Sequence, residues 1–357
     1  MKTGIILGTR PEIIKMSPII RECDRLRLDY FILHTGQHYS YNLDKVFFEQ
    51  LGLPLPKYNI GVGSGTHAEE IGKMLIGIEK VLLKEKPDAV LVEGDTNTIL
   101  AGALVASKLH VKIGHVEAGL RSYDRQMPEE INRTLADHCS DYLFAPTEKA
   151  KAILLGEGIP EDKIFVTGNT IVDAVYQNLD IAGKEVNALD NLHLNSKGYF
   201  LVTIHRQENV DNSAKFVSIL EGLDRVATEF ALPVIYPIHP RSKKMMAFFN
   251  LEAKNLEFVE PLDFLSFLHL ESKAKLVLTD SGGVQEEACI LRVPCVTLRD
   301  NTERPETIEV GANILAGASS DKILDCVKIM LNRKSEWANP FGDGKAGERI
   351  VKIITGD

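Results

Sequence analysis

The chain lacks most of the features that tie a sequence to a frame outside its own core. Its five cysteines, Cys23, Cys139, Cys289, Cys295 and Cys326, are scattered, odd in number and without a CxxC pair, which argues against a disulfide framework or a zinc site. They read as small buried apolar residues. No apolar run approaches the ~20 residues a membrane helix needs. The opening Met1-Lys2-Thr3-Gly4-Ile5-Ile6-Leu7 runs straight into a strand and a turn, so no signal peptide, no membrane partner and a cytoplasmic location are expected. Basic tracts are missing too: the net charge is −9, and nucleic acid is not an expected partner. Any phosphate must therefore be held by local geometry. Gly8 stands alone where a dinucleotide loop needs three glycines, and there is no Walker lysine loop. Neither HExxH nor an acidic cation loop occurs, and the residues between His34 and His38 read as a loop, so nothing requires a metal.

What is present is a repeated strand and helix rhythm. With 44% hydrophobic and 25% charged residues, the 357-residue chain has the make-up of a globular protein and the length for two domains. Short apolar runs predict strands at 4–7, 30–34, 89–92, 112–116, 142–145 and 163–166, and again at 199–204, 234–238, 256–259, 275–279, 295–298 and 313–315. Segments with apolar spacings of three and four lie between them, such as 69–84 and 98–109. The reading is α/β: two doubly wound, Rossmann-like domains facing a central cleft, the first over 1–168 and the second over 169–342. Residues 181–197 read as the neck, and a last helix within 343–357 is expected to pack back on the first domain. Ligands of open parallel sheets bind beyond the carboxyl ends of the strands, so the residues that follow strands are the candidates.

One such stretch is Thr279-Asp280-Ser281-Gly282-Gly283-Val284-Gln285-Glu286-Glu287, where a strand reaches a helix expected to start near Val284. A helix start leaves backbone N–H groups unpaired with the positive end of the dipole behind them, and small residues let a phosphate approach. Glu286 and Glu287, one turn in, are placed to accept from ribose hydroxyls; a plain helix cap at Asp280 or Ser281 is the competing role.

In the first half, Gly8-Thr9-Arg10-Pro11-Glu12 follows a strand, and Arg10 and Lys15 form a fork and a point charge suited to a diphosphate. Asp95 and Glu117 follow two strands expected to be neighbours, and Glu129 comes from Pro128-Glu129-Glu130-Ile131-Asn132-Arg133. Three carboxylates near one pocket repel, which raises some pKa values and suits proton chemistry. Helix capping and pairing with Arg121 or Arg133 are their structural alternatives. In the second half, His205 and Arg206 follow a strand as candidate phosphate or leaving-group partners, and His239 follows the next. The apolar segment ending in Phe267 offers a surface for a base, and Arg299 and Arg304 add cations.

As a set, these motifs, with Gly94-Asp95-Thr96, His115-Val116-Glu117-Ala118-Gly119-Leu120-Arg121 and Thr302-Glu303-Arg304-Pro305-Glu306, resemble those of the non-hydrolysing UDP-N-acetylglucosamine 2-epimerases over nearly the whole chain. The resemblance implies a glycosyltransferase-B-like fold, a homodimer and conversion of UDP-GlcNAc to UDP-ManNAc without a redox cofactor. It implies that Asp95, Glu117 and Glu129, with Arg133 nearby, are the acidic groups, and that Arg10, His205, Phe267, Ser281, Gly282, Gly283 and Glu287 contact UDP. Many bacterial members carry a Gln-His-Arg segment and a later Gln-Thr segment that bind a second, activating substrate. Here Gln37-His38 runs into Tyr39-Ser40-Tyr41 and the later segment reads Gly63-Ser64-Gly65-Thr66-His67, so both segments depart from that pattern and the sequence leaves activation open. A glycosyltransferase of the same architecture, a hydrolysing epimerase and a sugar-nucleotide sensor remain the rival readings.

Overall fold

The computed structural model describes residues 1–36 and 41–356. The chain divides into two compact units, Met1–Gln177 with Phe341–Asp357, and Asn178–Pro340. The boundary therefore falls beyond Gly168, inside the helix Thr170–Glu185, and most of the expected neck is that helix and a short one at Ala188–Asn191.

The first unit is built on β1 (Lys2–Leu7), β2 (Asp29–His34), β3 (Tyr58–Asn59), β4 (Ala89–Glu93), β5 (Lys112–Val116), β6 (Tyr142–Ala145) and β7 (Ile164–Val166). They form a parallel sheet in the order β3-β2-β1-β4-β5-β6-β7. The two-residue β3 is too short to carry a sequence pattern, and the reading above missed it. Strands covered on both faces need apolar side chains at every position, hence the continuous runs rather than alternation. Val90 and Val92 join one core with Ile6, Ile78 and Ile99. The last helix, Ala346–Thr355, packs on the helix Arg10–Leu26: a Cβ at Gly347 would lie 3.1 Å from the backbone of Pro18. Asp173, in the first turn of the helix Thr170–Glu185, accepts from the backbone N–H groups of Ala346 (3.2 Å) and Gly347 (2.9 Å) and so caps the last helix.

The second unit is built on β8 (Phe200–Thr203), β9 (Val234–Pro237), β10 (Leu256–Val259), β11 (Leu276–Thr279), β12 (Cys295–Thr297) and β13 (Asn313–Leu315). Its sheet is also parallel, in the order β10-β9-β8-β11-β12-β13. Phe200 and Val202 enter one core and Tyr199 and Leu201 the other, the period of two expected of a strand buried on both sides. In each unit the strand order reverses once, between β1 and β4 and between β8 and β11. A doubly wound sheet takes its ligands at that reversal, beyond the carboxyl ends. Among the described residues no helix is long and apolar enough to cross a membrane.

Candidate active site

In the first unit, the turns after β1, β4 and β5 carry the acidic groups. Gly8 is required by packing, because a Cβ there would meet Thr35 Oγ1 at 2.2 Å and Thr98 Oγ1 at 2.3 Å. The turn it opens brings Glu12 inward to accept from Gly8 N (2.6 Å), Thr9 Oγ1 (2.8 Å) and Thr96 Oγ1 (2.7 Å). Burial outweighs those donors and pushes the Glu12 carboxyl up to about 7.

Glu117 follows β5 with φ 69°, a left-handed conformation that costs a side-chain-bearing residue strain and is found preferentially at functional sites. Its buried carboxylate accepts from Lys15 Nζ, and Asn169 Nδ2 donates to it at 3.4 Å. Lys15, expected to meet a diphosphate, is instead engaged by carboxylates of its own unit: its Nζ also lies 3.3 Å from Glu93 Oε1. Arg10 is exposed, its guanidinium 5.1 Å from the ring centre of Phe47.

Asp95 follows β4, the neighbour of β5. Arg133 Nη2 donates to Asp95 Oδ2, and Asn132 Nδ2 donates to the Asp95 carbonyl at 2.9 Å. Glu130 accepts from Ser122 N (2.8 Å), Ser122 Oγ (3.0 Å) and Tyr123 N (2.9 Å). Burial alone would raise its pKa, but these donors and Arg133 hold it below the ordinary carboxylate range. Glu130 thus braces the loop, while Glu129 is exposed on the first turn of the helix Pro128–Cys139. Glu117 and Asp95 do act on neighbouring carboxyls: beyond burial, Glu117 raises the pKa of Glu93, and Asp95 adds a smaller upward push on Glu12.

His115 locks the turns together. Its Nδ1 lies 2.6 Å from Asp137 Oδ1 and its Nε2 2.9 Å from the Gly94 carbonyl, both acceptors, so both ring nitrogens carry protons. Burial would depress its pKa, yet Asp137 and the Gly94 carbonyl raise it above the usual histidine value. Asp137 also accepts from Gly119 N (3.2 Å) and pairs with Arg121 (2.7 Å). Sequence reasoning missed Glu93 and Asp137; the signal for Glu93 was an acid closing the otherwise apolar run Ala89-Val90-Leu91-Val92.

The second unit supplies a different corner. Asp280, fully buried after β11, accepts from His205 N (3.1 Å), Arg206 N (3.0 Å) and Asn209 Nδ2 (3.1 Å), tying the turn after β8 to its own. Asp280 is therefore a strut between two turns rather than a helix cap. The helix Gly282–Ile290 begins at Gly282 itself, not near Val284, with Ser281 at its N-cap position and its side chain making no cap hydrogen bond. A Cβ at Gly283 would meet nothing within 4 Å, and one at Gly282 only Glu303 Oε2 at 3.8 Å. The protein's own packing does not demand glycine there.

His205, partly buried, has Nδ1 3.3 Å from Asp280 Oδ1 and its ring 5.4 Å from that of His239. Burial lowers its pKa, with Asp280 opposing and His239 reinforcing, which favours a neutral imidazole. His239 is exposed, and its Nδ1 accepts from Arg241 N (3.1 Å), a capping role; burial of its ring also lowers its pKa. Phe267 is partly buried against the core. Of the two glutamates, Glu286 pairs with Arg304 Nε at 2.8 Å, and Glu287 neighbours the fully buried Glu271, whose pKa burial and this neighbour raise well above the ordinary value. His34 is buried, accepts from Gly36 N at 3.1 Å, and is pushed down to about 4 by burial. His38 and the rest of 37–40 lie outside the described residues.

Two parallel-sheet units, one with strand-end carboxylates and one with an open glycine helix start, define a glycosyltransferase-B-like α/β protein. A family model described as UDP-N-acetylglucosamine 2-epimerase matches residues 21–355. A UDP-N-acetylglucosamine 2-epimerase of Methanocaldococcus jannaschii is 62% identical over 362 residues, spanning 99% of each chain. The crystal structure of the M. jannaschii UDP-GlcNAc 2-epimerase in complex with UDP-GlcNAc and UDP matches with TM-score 0.89, covering 100% of both chains at 62% identity. A Pseudomonas aeruginosa UDP-2,3-diacetamido-2,3-dideoxy-D-glucuronate 2-epimerase is 41% identical over 358 residues, 99% of each chain. The chain belongs to the UDP-N-acetylglucosamine 2-epimerase family and is an enzyme, an epimerase.

Proposed function

We propose that the protein inverts C2 of UDP-GlcNAc to give UDP-ManNAc without hydrolysis. The C2 proton of this sugar is not next to a carbonyl, so its direct removal faces a prohibitive barrier. Breaking the C1–O bond first, with the electron pair leaving on UDP, builds positive charge at C1 and makes the C2 proton acidic. A carboxylate takes that proton and 2-acetamidoglucal remains. Protonation of C2 on the opposite face and return of a UDP oxygen to C1 complete the inversion. The observation that carries this reading is Glu117, a carboxylate held in a left-handed turn at a strand end against an ammonium group.

In this reading Asp95, Glu117 and Glu129 handle the proton and the cationic sugar, with Arg133 orienting Asp95. The helix start at Ser281, Gly282 and Gly283, with Arg10, receives the departing diphosphate, and neutral His205 donates a hydrogen bond to it. Glu287 takes the ribose, Phe267 the base, and His239 and Arg304 line the same corner. Lys15 serves through Glu117 rather than on phosphate. The 41% identical P. aeruginosa relative favours one second reading, a UDP-2,3-diacetamido uronate as the preferred substrate. Incubating the enzyme with UDP-GlcNAc in deuterated water tests the proposal. The expected result is deuterium at C2 and UDP-ManNAc; free ManNAc with UDP means hydrolysis, and no exchange without an acceptor means transfer or mere binding. Comparing kcat/KM for the two sugar nucleotides separates the substrates.

We also propose a homodimer through the first unit. Ile76 and Leu83, seven apart on the helix His67–Glu85, are 58% and 56% exposed, and Ile131 and Leu135, four apart on Pro128–Cys139, are 44% and 47% exposed. Leu83→Asp with Leu135→Asp is expected to halve the mass in light scattering; a monomeric native protein would refute the dimer.

A further inference from the structure

Glu93 ends β4 in register with Val116 of β5, and Glu117 follows Val116 in the left-handed turn that closes that strand. The helix Arg10–Leu26 lies over β4 and brings Lys15 against both. Glu93 is 2% exposed, and a single ammonium, Lys15 Nζ, lies against both its carboxyl and that of Glu117. Two buried carboxyl groups facing one ammonium repel each other as a pair of anions, and a proton kept by one of them lets it donate to the other. Lys15 donates to Glu117 and stands 3.3 Å from Glu93, so the ammonium favours charge on Glu117 and leaves Glu93 as the acid.

We propose that Glu93 is a positioning residue: as the neutral acid it donates a hydrogen bond to Glu117 and keeps that carboxylate ionised and aimed for proton transfer. The proposal rests on the reading of Glu117 given above. Among the described residues, the titratable groups facing Glu93 are Lys15 and Glu12 from the helix Arg10–Leu26 and Glu117 from the turn after β5. Burial, Glu117 and Glu12 raise its pKa well above the ordinary value against the pull of Lys15, in keeping with a proton retained at neutral pH. As pH rises through that pKa the proton is lost, two anions compete for one ammonium, and activity falls.

The test is the pH profile of kcat for the native enzyme, Glu93→Leu, Glu93→Gln and Glu117→Gln, with thermal melting as the check on folding. Glu93→Leu, which has no donor, is expected to lose at least about tenfold in kcat with little change in KM. Glu93→Gln keeps a neutral donor that cannot ionise: it is expected to recover most of that loss and to hold its rate on the alkaline side, where the native enzyme declines. If Glu93→Gln declines at the same alkaline pH as the native enzyme, or Glu93→Leu turns over at the native rate, Glu93 has no such role. Glu117→Gln separates the two levels: an inactive Glu117→Gln leaves such a failure confined to Glu93, whereas a fully active one removes the parent reading as well.

Discussion

Asp95→Asn is expected to lower kcat by about 10² to 10⁴-fold while the affinity for UDP stays within about twofold of the native value. The substitution keeps shape and removes charge. Asp95 is partly exposed and held by Arg133 and Asn132, all within the first unit, and none of these groups belongs to the glycine corner of the second. Arg133 retains Glu130 at 3.3 Å, so the fold should lose no more than ~1 kcal/mol, the worth of a solvent-accessible ion pair. Turnover measured by product analysis, UDP affinity by calorimetry and melting temperature together check this. Parallel loss of activity and UDP binding would end the division of labour in which one unit holds the nucleotide and the other moves the proton.

The double change Gly282→Ala with Gly283→Ala has the opposite signature. Neither glycine has a positive φ, and a Cβ at either is accommodated by the surrounding protein. Alanine inside a helix is favoured over glycine by roughly 0.5 to 1 kcal/mol and nothing nearby opposes it here, so the variant should melt at or slightly above the native temperature. A diphosphate seated on those N–H groups would meet the new methyls. UDP affinity is therefore expected to fall at least about tenfold, ~1.4 kcal/mol, and catalysis with it. Unchanged UDP binding would mean that the backbone at 282–283 is not approached, and the corner would lose its place in the mechanism.

The candidate site was legible in the sequence only where geometry is local. That Asp95, Glu117, His205 and Ser281 follow strands comes from patterns of four to six residues, because a strand must end before a turn presents a side chain. Lys15 is the instructive difference. Read along the chain it is a cation in the first turns of a helix, suited to phosphate; folded, it is bound by Glu117, 102 positions away, and faces Glu93. Glu286 and Glu287 looked equivalent beside each other, yet one pairs with Arg304 and the other neighbours the buried carboxyl of Glu271. The domain boundary differs for a similar reason: residues 170–177 join the first unit, where Asp173 accepts from the N–H groups that open the last helix, 173 and 174 positions away.

By itself, then, the sequence determined two parallel sheets and the strand ends at which chemistry is sited, since runs of apolar residues and the small residues that close them act over a few positions. Tertiary structure alone decided which carboxyl groups are buried together and which cation each one meets. Those choices depend on the register of β4 against β5 and on how the helix Arg10–Leu26 lies across them, distances that no local pattern encodes.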